Sequence, residues 1–150
     1  MFSITAIARC FVVAAAFAIL SGCSTLTQLE GATPGTTMAI RGVARTELPR
    51  EEDLSAKATG QYEFMATAPD GKKLYGLLPL SVNGGKMTMS ILFFAPALFI
   101  GGFRDVLPFY QVDVEKQTLR FKRNAGDPWS EYLPLAAERE RSKAYFDKVK

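Results

Sequence analysis

Two stretches, residues 60–78 and 110–122, alternate apolar and polar side chains with a period of two, the spacing of a half-buried strand. In the first, Tyr62, Phe64 and Ala66 stand on one parity against Glu63, Met65 and Thr67, and Pro69-Asp70-Gly71-Lys72 interrupts the run before residues 74–78. Aspartate and glycine accept the positive φ of a tight turn, so this segment predicts a β-hairpin. In the second, Tyr110, Val112 and Val114 lead into a polar Glu115-Lys116-Gln117 turn, and Leu119 and Phe121 resume against Thr118, Arg120 and Lys122. A second hairpin is expected, ended by Gly126-Asp127-Pro128.

Residues 36–43 alternate more weakly and give a short strand, whereas residues 45–57 crowd Glu47, Arg50, Glu51, Glu52, Asp53 and Lys57 around Pro49. That charge density reads as an exposed loop with at most one helical turn. Pro134 suits a helix first turn, and no breaker follows it, so a helix is expected over about 134–149, docked by Tyr145, Phe146 and Val149. The expected class is mainly β (α+β): a small antiparallel sheet or sandwich with a C-terminal helix, in one β-rich domain over residues 38–150.

The other end of the chain has a different character. An apolar run from Phe11 to Leu20 follows Arg9 and ends in Ser21-Gly22-Cys23. Ten apolar residues are too few for a ~30 Å hydrocarbon core, which needs about 20, so the run reads as a secretory leader over residues 1–22. Leu20-Ser21-Gly22-Cys23 resembles the lipobox of bacterial lipoprotein precursors, in which a branched apolar residue and two small ones precede the cysteine. The resemblance implies cleavage by signal peptidase II before Cys23, a diacylglyceryl thioether on its sulfur, and an N-acyl group on its amine. Ser24, in place of the aspartate that marks inner-membrane retention in enterobacterial members, points to the periplasmic face of the outer membrane. Residues 23–37 are small and polar with Gly31, Pro34 and Gly35 as breakers, and predict a lipidated tether. Residues 34–42 and the hairpin after them also resemble the PEGA type of small envelope β-domain, without the glutamate and alanine of its opening turn. That resemblance implies a β fold and nothing about chemistry.

Residues 87–103 carry no charge and include Pro96 near their centre. Pro96 would cost a spanning helix a backbone N–H, so a second membrane span is disfavoured. Met87, Met89, Ile91 and Phe93 fit a buried strand, and the rest of the stretch fits a cover over the sheet. If exposed instead, Phe93, Phe94, Leu98, Phe99, Ile100 and Phe103 form an apolar patch for a partner or a membrane.

Composition narrows the chemistry. Histidine is absent, which removes the commonest general base and metal ligand, and Cys23 is the sole cysteine left once the leader is gone. No metal site, catalytic residue or cofactor is expected beyond the covalent lipid. A formal charge of +3, which loses one cation with Arg9, gives no field that argues for nucleic acid. Gly84-Gly85-Lys86 and Gly101-Gly102 match no phosphate-loop spacing. Three functions follow in order: a non-catalytic interaction or structural module on the membrane contacting another envelope protein; a carrier or sensor of an apolar ligand through residues 93–103; and a hydrolase using Asp105 and Asp113, with Glu63 more distant.

Overall fold

A computed structural model describes residues 24–57, 60–82 and 104–149. Eleven strands among these residues form three sheets, with one helix after them. The strands are β1 (Ser24–Gly31), β2 (Thr37–Ile40), β3 (Val43–Glu47), β4 (Arg50–Ser55), β5 (Glu63–Thr67) and β6 (Lys73–Leu77). They continue as β7 (Leu80–Val82), β8 (Arg104–Val106), β9 (Phe109–Asp113), β10 (Thr118–Lys122) and β11 (Ser130–Tyr132), and the helix α1 is Ala136–Lys148. Five strands run in the order β11-β10-β9-β1-β4, four in the order β3-β2-β5-β6, and β7 pairs with β8. All pairings are antiparallel except β1 with β9.

The two larger sheets share one core. Leu29, Leu54, Tyr110, Val112 and Leu119 come from one, and Met38, Ile40, Phe64, Ala66 and Leu74 from the other. The mainly β class, the hairpin β5–β6 and the hairpin β9–β10 agree with the alternation. Gly71 takes the positive φ expected of the first turn, at 85°. The Asp70 side chain accepts the Lys72 amide at 3.0 Å, which closes that turn.

Two expectations are overturned. The tether predicted over residues 23–37 is, from Ser24 to Gly31, a strand in the interior of the five-stranded sheet, with Thr27 and Leu29 buried. Threonine is β-branched and suits a pleated surface, so a polar composition hid a strand. The loop predicted over residues 45–57 contains the end of β3 and all of β4, and β4 pairs with β1 from Ser24↔Ser55 to Leu29↔Arg50. β4 is the last strand of its sheet, and charges on an edge strand discourage pairing with a further chain.

The helix begins two residues later than expected and is not docked by Val149, which is exposed. It packs on β5 and β6. Its one buried side chain, Ser142, donates to the Phe64 carbonyl at 2.6 Å. Glu138 accepts the Leu135 amide at 2.8 Å and so satisfies one of the orphan donors at the helix start. Gly76 makes room for this arrangement: a Cβ there would stand 2.8 Å from the Phe64 ring and 3.0 Å from Pro134.

Glu63 ties the helix to the sheet. Its carboxylate is 2% exposed as a residue and accepts from Arg141 Nη2 at 2.8 Å and from Arg41 Nη1 at 3.2 Å. Burial alone raises its pKa, but its own backbone amide, Arg141 and Arg41 outweigh burial and hold the carboxyl below the ordinary range. A carboxyl lowered by folding stabilises the fold above its unfolded pKa of about 4.3, and that contribution is lost as pH falls through the lower folded value. Glu63→Gln is therefore expected to destabilise the protein at neutral pH and to flatten its acid loss. Urea midpoints of both chains at pH ~7 and pH ~3 measure this. An equal drop in both would contradict the assignment.

Candidate functional site

One end of the sandwich collects four of the points at which the described segments meet the rest of the chain. Ser24, one peptide bond from Cys23, opens β1 opposite Ser55 at the close of β4. Two residues on, Lys57 exchanges both backbone hydrogen bonds with Arg104, at 2.9 and 3.2 Å. Arg104 in turn pairs with Val82, the last residue of β7. Ser24, Lys57, Val82 and Arg104 thus share one end, although they are remote in sequence.

The path from β8 into β9 is fixed against β1. The Gln28 amide donates to the Pro108 carbonyl at 2.7 Å, and Thr27 Oγ1 donates to the Leu107 carbonyl at 3.2 Å. Tyr110 completes the join: its hydroxyl donates to the Pro79 carbonyl at 2.6 Å and accepts the Leu107 amide at 3.0 Å. The residue is 1% exposed, and burial raises the pKa of its phenol, so the hydroxyl keeps its proton at neutral pH. Tyr110→Phe would leave two backbone groups short of a partner, each costing about 1–3 kcal/mol when buried. Denaturant melts are expected to show a loss of ~2–4 kcal/mol on that basis, and a loss below ~0.5 kcal/mol would mean that the hydroxyl does not hold this end.

Around this join lie two adjoining clefts. One, of about 360 Å³, is lined by Thr25, Val82, Asp105 and Pro108, among others. The other, of about 440 Å³, has an apolar floor that includes Leu80, Phe121 and Pro128. Ser81, Leu107 and Arg123 belong to both. Arg123 hydrogen-bonds Ser81 Oγ, and Lys122 stands over the Phe109 and Trp129 rings at 5.2 and 4.6 Å. The arrangement supplies cations, the carboxylates Asp105 and Asp127, and apolar surface.

The opposite end is made of turns. Residues 32–36 and 68–72 meet where the space beside Gly35 is bounded by Pro69, 3.2 Å from an ideal Cβ. The β9–β10 turn joins them through Gln117 Nε2, which donates to the Lys73 carbonyl at 3.4 Å.

The candidate residues read from sequence divide accordingly. Cys23 lies outside the described residues, as do Phe93, Phe94, Leu98, Phe99, Ile100 and Phe103 and the strand expected from Met87 to Phe93. The three carboxylates are not gathered. Asp105 sits in β8 opposite Ser81, Glu63 lies between Arg41 and Arg141, and Asp113 accepts the Lys116 amide at 2.9 Å in the β9–β10 turn. Tyr110 belongs to the core, and Tyr132 hydrogen-bonds Glu138. Among the described residues no cluster of histidine, cysteine, aspartate or glutamate could hold a metal, and no helix is long and apolar enough to cross a membrane. Sequence reading missed Lys57, Arg104 and Arg123, which no local motif brings together. No protein family, curated protein or solved structure matches the chain.

Proposed function

We propose that this chain is the precursor of an envelope lipoprotein: a non-catalytic β module held by acyl groups on Cys23 at the periplasmic face of the outer membrane, where it contacts another envelope protein. The observation that carries the reading is Leu20-Ser21-Gly22-Cys23 at the end of an apolar run too short to span a bilayer. The start of β1 supports it. Ser24, the residue after the cysteine, already belongs to β1, so an acylated Cys23 would sit directly at the edge of the fold. Thiolate chemistry accounts for the cysteine, because the thiolate is the form that takes up the diacylglyceryl group.

The partner questions follow from the same arrangement. Asp113 and Glu63 are each occupied by structural partners, which favours a binding module over a carboxylate hydrolase. The apolar floor of the 440 Å³ cleft favours a second reading, a carrier of an apolar ligand, since small-molecule sites run from about 300 to 1,000 Å³. Saturable uptake of a free fatty acid by the purified protein distinguishes the carrier.

The anchor itself is tested by growing producing cells with labelled fatty acid. Label is expected in the wild-type chain and not in Cys23→Ser. Equal labelling of both would sink the proposal.

A further inference from the structure

We propose that the end of the sandwich formed by Ser24, Lys57, Val82 and Arg104 lies against the phospholipid headgroup layer, so that the domain stands end-on on the bilayer. This rests on the lipid-anchor reading and adds an orientation to it. The first argument is where the chain leaves the described fold. Cys23 joins at Ser24, and residues 83–103, which contain the longest uncharged stretch of the mature chain, join at Val82 and Arg104. These positions are tied together by the Lys57–Arg104 bridge.

A second argument concerns reach. With β1 beginning at Ser24, no tether separates the strand from an acylated Cys23, so the end carrying Ser24 cannot move far from the lipid. Eight strand residues at ~3.3 Å each hold the turns at the other end about 26 Å further away.

The surface chemistry fits such a contact. Val82 is 60% exposed and Leu26, two residues along β1, is equally so. Lys57 and Arg104 supply cations at this end and Arg123 lines the adjoining cleft, beside the acidic Asp53 and Asp105. Long basic side chains pair with lipid phosphates while their methylenes cover apolar surface. A contact with phospholipid of any headgroup therefore has both parts it needs, apolar side chains that enter the interface and cations at phosphate level.

The test uses the mature acylated protein in phosphatidylethanolamine–phosphatidylglycerol vesicles. Once Cys23 is acylated the chain has no free thiol, so Val82→Cys and, at the far end, Asp70→Cys each accept a single fluorophore. Nitroxide on the lipid headgroups is expected to quench the Val82 probe severalfold more than the Asp70 probe. Lys57→Gln with Arg104→Gln should narrow that ratio, each cation being worth on the order of fivefold in surface affinity. Equal quenching in a protein that still floats with the vesicles would overturn the orientation and leave the anchor standing. Loss of flotation, with no acyl mass on Cys23, would instead remove the anchor reading and this one with it. In cells, photocrosslinking from position 82 to a protein rather than to lipid would also overturn it.

Discussion

A Leu29→Ala chain is expected to lose about 2–5 kcal/mol of stability, the cost of deleting a well-packed leucine and leaving a cavity. Leu29 is 1% exposed in β1, opposite Arg50 on one side and Tyr110 on the other, and belongs to the core shared by the two larger sheets. Leu26 on the same strand points out of the core, and Leu26→Ala is expected to stay within about 0.5 kcal/mol. The contrast between the two is the informative quantity. In a tether neither substitution would matter, whereas in a strand buried on one face only the inward leucine does. Paired denaturant melts with unchanged slopes measure it. Near-equal midpoints for both variants would return residues 24–31 to the tether.

The second large effect concerns location. When the mature chain is secreted behind an ordinary cleavable leader, with serine in place of Cys23, it is expected to move from the membrane to the soluble envelope fraction. One myristoyl-length chain binds a bilayer reversibly, at about 10⁴ M⁻¹, and two or more make the attachment stable. The acyl groups therefore dominate the cations at the Ser24 end, each of which adds only about 1 kcal/mol near an anionic surface. The fold is expected to survive, because β1 is held by β4 and β9 and not by the cysteine. Sedimentation of the envelope fraction decides the matter. A serine variant that stays on the membrane through salt and alkaline washes would mean that another segment carries the attachment.

The hairpins were legible because their physics is local. Phe64 and Ala66 alternate with Glu63 and Met65, and Asp70-Gly71 supplies the turn. Even there the alternation understated burial: Glu63 and Met65 are buried as well, under the helix, and the guanidinium groups of Arg41 and Arg141 that neutralise Glu63 come from residues 22 positions before it and 78 after. β1 was missed because polarity was read as exposure. Thr27 is fully buried, and its hydroxyl is satisfied by the Leu107 carbonyl, 80 residues away. A buried hydroxyl with a partner carries no penalty, but sequence does not show the partner.

β4 was missed for the opposite reason. Its charges suit an edge strand, and whether a strand is an edge depends on the order of the whole sheet. The candidate end is the extreme case. Val82 and Arg104 come together through β7 pairing with β8 across residues 83–103, the bridge to Arg104 adds Lys57, and the antiparallel pairing of β1 with β4 brings in Ser24. No pattern of period two or 3.6 encodes a juxtaposition of that kind. What the sequence does carry locally is the resemblance of residues 20–23 to a lipobox, which needs no tertiary context.

Both scales meet at the bond between Cys23 and Ser24, where a lipid would join the first residue of a central strand. The most direct measurement is the mass of the N-terminal peptide of the protein isolated from membranes. The account predicts a peptide that begins at Cys23 and carries diacylglyceryl and N-acyl groups. An unmodified Cys23, or a chain cut at any other bond, would contradict it.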